Sequence, residues 1–188
     1  MHILMTGGTG FVGEALREYW LAAGHELTIL SRSAHPDTHH CRYVQTLEAV
    51  PASPSPEAVV NLAGASLAGA RWTAAYKKTL VDSRVEGTRA LVAWMRGLRV
   101  PPRVLLNASA IGFYGPRDSE PLGEDAAAGG GFASELCQAW EAQAAAVAEF
   151  GVRVCLLRLG VVLDAGGGAF VQMAQPFRMG IASWPGDG

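Results

Sequence analysis

The sequence predicts an α/β fold: a doubly wound parallel sheet with helices on both faces. Three observations carry this expectation. Short apolar runs alternate with longer stretches of helical periodicity, as in chains built from βαβ units. Three glycines spaced Gly7-x-x-Gly10-x-x-Gly13 lie between the first apolar run and the first helical pattern. The composition favours a core, with 49% apolar and only 17% charged residues among 188.

Residues 2–6 read as the first strand. Residues 11–23 follow as a helix with Val12, Ala15, Leu16, Tyr19 and Trp20 on one face, ended by Gly24 at the position after the cap. Residues 26–31 are a second strand and 42–47 a weaker third. Three prolines in Pro51-Ala52-Ser53-Pro54-Ser55-Pro56 forbid a regular helix, so this is a connector to a strand at 58–62. A long helix is expected over 73–97 and a strand over 103–108. The Gly-, Pro- and acid-rich stretch 112–132 is too long for a mere connection and is a candidate functional loop. A helix over 133–150, ended by Gly151, and a strand over 152–159 complete the pattern. Right-handed crossovers then give the strand order 3-2-1-4-5-6. Gly166-Gly167-Gly168 leads into a short helical pattern at 169–179, and Pro185-Gly186-Asp187-Gly188 caps nothing. The expected division is a nucleotide-binding domain at 1–165 and the start of an incomplete C-terminal substrate domain at 166–188.

Several function classes are disfavoured. A formal charge of −2 offers no footprint for nucleic acid or an acidic membrane surface. The most apolar stretch, 152–163, is interrupted by Arg153 and Arg158, so no segment spans a bilayer. Cys41, Cys137 and Cys155 are odd in number and far apart, and the first residues lack a basic signal region. A cytoplasmic protein is expected. His35, His39, His40 and Cys41 fall close together, but no further ligand follows at zinc spacing, so no metal is expected.

The glycines carry the chemistry. Gly7 permits the tight turn, Gly10 lets backbone approach a pyrophosphate, and Gly13 lets the helix pack closely. The helix start offers free N–H groups and a positive dipole end to an anion. A site selecting NAD usually carries an acid at the end of the second strand, about 20 residues on, for the ribose 2′-hydroxyl. Here the strand ends Leu30-Ser31-Arg32. Ser31 can hydrogen-bond a 2′-phosphate and Arg32 can neutralise it, which favours NADP(H). On the long helix, Tyr76, Leu80, Arg84, Gly87, Leu91 and Met95 follow helical spacing down one face. Arg84 therefore interrupts an apolar or small stripe, and either a buried carboxylate or an anionic ligand should meet it. The cofactor phosphates are the favoured partner.

With Thr6-Gly7-Gly8-Thr9-Gly10-Phe11-Val12-Gly13, Asn61-Leu62-Ala63-Gly64 and Ser109-Ala110-Ile111-Gly112-Phe113-Tyr114-Gly115, the chain resembles the extended short-chain dehydrogenase/reductases. More narrowly it is similar to their atypical, nucleoside-diphosphate-sugar epimerase-like branch. Arg71-Trp72-Thr73, Ser83-Arg84-Val85, Trp140-Glu141 and Pro176-Phe177-Arg178 carry the same resemblance. It implies a Rossmann domain whose NADP(H) lies against Gly7, Thr9, Gly10, Phe11, Val12, Gly13, Leu62, Ala63, Gly64, Ser109 and Val161. It places Ser31 and Arg32 at the 2′-phosphate and Arg84 near the phosphates. Short-chain dehydrogenases use a Tyr with a Lys four residues later as acid and pKa-lowering partner. No such pair exists here. Tyr19, Tyr43, Tyr76 and Tyr114 are followed four places on by Ala23, Leu47, Leu80 and Asp118. Ser109 matches the family's catalytic serine, although a strand-end serine bonding its own backbone would look the same. Tyr114 and the acids of the 112–132 loop are the replacement acids on offer, and Glu141 stands ready to partner an arginine. The expected function is an NADP(H)-dependent reductase or epimerase acting on an unnamed small molecule. The alternative is a catalytically silent NADP(H)-binding redox sensor or regulator. A homodimer is expected through the helices after strands four and five, with Trp94 or Trp140 as anchors.

Overall fold

The computed structural model describes residues 1–164 and 166–180. The chain divides into two compact units, Met1–Arg158 and the remainder from Leu159. The first runs β1 (His2–Thr6), α1 (Phe11–Ala22), β2 (Glu26–Leu30), β3 (Cys41–Val44) and β4 (Ala58–Asn61). Then follow α2 (Ala74–Val81), a π-helical turn (Asp82–Glu86), α3 (Gly87–Arg96), β5 (Val104–Ala110), α4 (Phe132–Ala145) and β6 (Arg153–Leu159). The six strands lie in the order β3-β2-β1-β4-β5-β6, the expected doubly wound arrangement. The pairs β1–β2, β1–β4, β2–β3 and β4–β5 are parallel, with Thr6 opposite Leu30 on one side and Asn61 on the other.

Successive side chains of a strand point to opposite faces, and here both faces are covered. Leu4, Val59 and Leu105 pack with Leu91 and Met95 of α3 and Ala144 of α4. Ile3, Met5, Ile29 and Val60 pack on the other side with Leu16, Trp20 and Leu21 of α1. The α1 stripe differs from its expected form: Tyr19 is 70% exposed and Ala15 is also outside, because Leu21 takes the inner position instead.

The long helix over 73–97 is one helical path with a defect in it. Thr73 caps it, its hydroxyl accepting from the Tyr76 amide at 3.2 Å. The wider turn at Asp82–Glu86 then shifts the phase of everything after it. Leu80, Leu91 and Met95 are buried as expected, but Gly87 is exposed and Val85, Thr88 and Val92 take inner positions. Elsewhere the differences are at element ends. The third strand stops at Val44 before a 3₁₀ turn, the fifth extends through Ser109 to Ala110, and α4 gives way to a 3₁₀ turn over Ala146–Phe150.

In the second unit, β7 (Leu163–Asp164) bridges to Gly167 and Gly168, and α5 (Gly168–Arg178) follows the expected short helix. The closing Pro185-Gly186-Asp187-Gly188 lies outside the described residues. Among the described residues no helix is long and apolar enough to cross a membrane.

Candidate functional site

The carboxyl ends of β1, β2, β4 and β5 converge on one edge of the sheet, where open α/β sheets bind ligands. A belt of buried polar groups holds β1, β4 and β5 together. Thr6 Oγ1 donates to Asn61 Oδ1 at 2.6 Å, and Asn61 Nδ2 donates to Asn107 Oδ1 at 2.6 Å and to Thr88 Oγ1 at 2.8 Å. Trp140 Nε1 donates to the same Thr88 hydroxyl at 2.9 Å.

The glycine loop leaves β1 above this belt. Gly7 is in the left-handed region at φ 71°, and a Cβ there would lie 2.7 Å from the carbonyl of Leu62. The loop thus rests on the backbone of Leu62-Ala63, whose Ala63 amide donates to Thr6 Oγ1 at 3.3 Å. A Cβ on Gly13 would sit 2.2 Å from the Gly7 carbonyl oxygen, so Gly13 holds α1 against the loop itself. Gly10 is different: it is exposed, and a Cβ would meet only the Gly7 oxygen at 3.3 Å. Thr9 and Phe11 are exposed beside it and Val12 half-buried. The Gly10 amide donates to Gly7 and the Glu14 amide to Gly10, while those of Phe11, Val12 and Gly13 have no protein partner among the described residues. Three free amides at a helix start form an anion site in waiting.

At the end of β2, Ser31 is buried and its hydroxyl accepts from the Ser33 amide at 3.3 Å. Arg32 is exposed; its carbonyl accepts from Gln45 Nε2, and its guanidinium has no partner among the described residues. Directly beyond lies a cavity of about 300 Å³ lined by residues that include His35, Tyr43, Gln45 and Thr46. This cavity was not legible in the sequence, because its walls, the stretch after β2 and the end of β3 with the turn that follows it, meet only through strand pairing.

Ser109 stands one residue before the end of β5 with its hydroxyl already engaged, donating to Glu141 Oε1 at 2.5 Å. Arg158 clamps Glu141 with two bonds of 2.9 Å, then reaches on to Tyr114 Oη at 2.9 Å and the Glu124 carbonyl at 2.7 Å. Its guanidinium lies 3.5 Å above the Phe113 ring. Glu141 and the neighbouring phenol hold the Arg158 proton more firmly than usual, so it stays charged. Ser109 and Tyr114, the two candidate catalytic residues, are therefore ends of one network. Tyr114 is only 8% exposed. The expected arginine partner of Glu141 is Arg158. The signal for it was Arg158 late in the strand, past the apolar run 154–157.

Arg84 sits at the centre of the π turn. Its Nη2 donates to the Ala65 carbonyl at 3.0 Å, Nη1 to Leu80 at 3.4 Å, and Cζ lies 5.3 Å from the Trp140 ring centroid. A Cβ on Gly64 would fall 2.9 Å from Cζ, so Gly64 makes room for the guanidinium. Burial lowers the Arg84 pKa from its usual value. No carboxylate pairs with it among the described residues.

Comparison with known proteins now bears on this site. The profile of the NAD dependent epimerase/dehydratase family matches residues 3–173. The chain belongs to this family. It is 36% identical over its whole length to "Epimerase family protein SDR39U1" of Bos taurus, and likewise to that of Homo sapiens. It spans 63% and 64% of those two relatives. Among solved structures, human SDR39U1 (isoform 2) with NADPH shows a TM-score of 0.81 at 32% identity, over 97% of this chain and 61% of that one. UDP-glucuronic acid 4-epimerase from Bacillus cereus, in complex with NAD, shares the fold at a TM-score of 0.78 and 16% identity.

Within this epimerase-family chain, α4 presents Cys137 and Glu141 four residues apart, the spacing of the missing Tyr–Lys pair. Both face the end of β5: Cys137 Sγ approaches the Ala110 carbonyl at 3.8 Å, and burial pushes its thiol pKa up. Trp140 is buried and bonded to Thr88, so it cannot be an exposed dimer anchor; Trp94 packs partly against the core. His40 pairs with Glu26 and its ring meets that of His39 edge-on at 3.7 Å, His35 stacks on Tyr43, and Cys41 is buried in the core. Val161 belongs to the second unit.

Proposed function

We propose that this chain binds NADP(H) and forms the nucleotide-binding part of an epimerase-family oxidoreductase or nucleotide-sugar epimerase. One observation carries the cofactor: an open helix start whose three amides are free among the described residues, followed at the next strand end by Ser31 and by Arg32, unpaired among those residues, in place of an acid. The NADPH in the human SDR39U1 structure supports it. The residues present fit such a cofactor. Gly10 leaves the space a pyrophosphate needs, Leu62, Ala63 and Gly64 form the neighbouring wall, and the cavity past Arg32 suits an adenine. When bound, the nicotinamide supplies hydride exchange with a carbonyl or alcohol carbon.

The protein's own part is to orient and to handle a proton. Ionised Glu141 accepts only, so the Ser109 proton is committed to it and Ser109 Oγ is left as an acceptor. Ser109 then holds a substrate hydroxyl by its proton. Tyr114 accepts from the same Arg158 that holds Glu141, and so closes that network. In this reading residues 1–165 are the cofactor domain, 166–188 open a substrate domain, and the protein works in the cytoplasm, as a homodimer, on a small molecule. A second reading, a silent NADP(H)-binding regulator, is favoured by the lack of a Tyr–Lys pair.

Paired NADPH and NADH titrations on wild type and Arg32→Ala test the cofactor assignment. A charge-assisted bond is worth roughly 1.5–3 kcal/mol, so NADPH should weaken by about one to two orders of magnitude and NADH hardly at all. Equal weakening of both would refute the role of Arg32. Oxidation of bound NADPH by a carbonyl and nucleotide-sugar panel, on the full chain, separates enzyme from regulator.

A further inference from the structure

The Gly-, Pro- and acid-rich stretch after β5 has a fixed neck and a loose body. At the neck the Gly129 amide donates to the Phe113 carbonyl at 3.0 Å, and the Ser134 hydroxyl donates to the same carbonyl at 2.6 Å. A Cβ on Gly129 would lie 2.1 Å from the Tyr114 carbonyl oxygen, and Gly115 turns in the left-handed region at φ 65°, so the two limbs are pressed together there. Beyond the neck, residues 116–125 are all exposed. Among the described residues, the backbone of 116–128 makes one bond with itself, from the Ala126 amide to the Gly123 carbonyl at 3.1 Å. Arg117 braces this body from inside, donating to the carbonyls of Tyr114 at 3.1 Å and Ala127 at 2.9 Å. A segment so exposed and so sparsely bonded opens more easily than the sheet beneath it.

Among the described residues, a single hydrogen bond reaches this body from the rest of the fold: Arg158 Nη1 donates to the Glu124 carbonyl at 2.7 Å. Arg158 is next to last in β6, the neighbour of β5, so the loop runs from the end of one strand to the end of the next. Ser109 stands on that same edge. The guanidinium that holds Glu124 also holds both oxygens of Glu141, and Glu141 accepts from Ser109. The loop tip is thus joined to Ser109 through two side chains, Arg158 and Glu141.

We propose that residues 116–128 are a lid over the Ser109 end of the cleft, hinged at Gly115 and Gly129 and latched by Arg158 on the Glu124 carbonyl. Opening breaks that one bond, while the neck and the grip of Arg158 on Glu141 survive. A lid of this kind admits a ligand and then keeps water from the reacting atoms. That it covers a nicotinamide rests on the dinucleotide reading above; the latch does not.

The full chain is digested with chymotrypsin, and mass spectrometry follows the cut after Leu122, beside the latch. The reference is the cut after Trp140, which is buried and exposed only by global unfolding. Where opening is fast, the rate of cleavage follows the open population. In wild type the Leu122 cut should be faster by about a hundredfold or more. Glu141→Leu/Arg158→Met removes the latch without stranding a charge, and should speed the Leu122 cut by about tenfold or more. Arg158→Lys keeps the charge without the planar fork and should speed it about threefold; it decides the case if the double variant melts below the digestion temperature. Glu141→Gln retains Arg158 and should leave this cut within about twofold of wild type. At saturating NADPH, iodide should quench the bound nicotinamide at least about twofold more strongly in the latch variant than in wild type. Equal Leu122 rates in all four proteins, or a wild-type cut there no faster than at Trp140, overturn the lid. A faster cut with unchanged quenching shows a latch that covers nothing, and overturns it as well. A rise in Glu141→Gln as large as in the double variant puts the effect on the ion pair and overturns the latch. Wild type without affinity for NADPH refutes the dinucleotide reading, and the cleavage rates then decide the latch alone.

Discussion

Replacing Glu141 by Gln removes one charge from a nearly dry ion pair while keeping the shape of the side chain. The Glu141 side chain is 8% exposed and that of Arg158 19%. Breaking a buried pair by removing one partner costs about 3–5 kcal/mol, because the other charge stays behind uncompensated. Arg158 would keep Tyr114, the Glu124 carbonyl and the Phe113 face, so the lower figure, about 3 kcal/mol, applies. For a chain of this size each kcal/mol moves the melting temperature by about 2–4 °C, giving a fall of about 6–12 °C. The Glu141→Leu/Arg158→Met double variant removes both charges and should recover at least half of the loss. Urea and thermal unfolding at neutral pH, with coincident probes, measure both. A single variant within about 1 kcal/mol of wild type, or a double variant worse than the single, would refute the view that the unpaired charge is the cost.

Gly10→Val should abolish NADPH binding with the fold largely intact, whereas Gly13→Val should also unfold the loop region, since its Cβ would meet the Gly7 oxygen at 2.2 Å. Circular dichroism and NADPH titration of the two variants check this, and equal stability would contradict it. Ser31→Asp should repel a 2′-phosphate and accept ribose hydroxyls, inverting the NADPH to NADH preference in paired titrations. Thr73→Ala should lose about 1 kcal/mol of stability by urea unfolding, from the lost cap. Burial raises the thiol pKa of Cys41 and Cys137, so their neutral forms are favoured in the folded state. The unfolded thiols ionise first, so this stability is whole below about pH 8.5 and is lost as pH rises further. A Cys41→Ala/Cys137→Ala variant should show a flatter decline in unfolding free energy between about pH 8 and 9.5; an unchanged slope would place the titration elsewhere.

The sheet was legible because its inner strands are continuous apolar runs between glycine- and proline-rich breaks, and a parallel strand covered on both faces needs little else. The glycine loop and Arg32 were legible because their roles depend on position along the chain. The π turn was not: Leu80 and Leu91 fit a regular helix, and only the exposure of Gly87 reveals the inserted residue. Nor was the Ser109–Glu141–Arg158 chain, whose members are 32 and 17 residues apart and meet only when β5, α4 and β6 are assembled. The tryptophans misled for a related reason. Composition says nothing about direction, and Trp140 turns inward because Thr88 offers its indole a partner.

The polar belt beneath the cleft has a consequence for how the sheet is aligned. Oily strands can slide past one another by two residues and still bury oil. Thr6, Asn61 and Asn107 sit at one level, Thr6 opposite Asn61 and Asn61 opposite Asn107. A slip of any of the three strands would strand an amide or hydroxyl in the core without its mate. The belt therefore works like the pin through a stack of sliding plates. It sets the carboxyl ends of β1, β4 and β5 flush, and the ledge they form is where the glycine loop, Gly64 and Ser109 all stand.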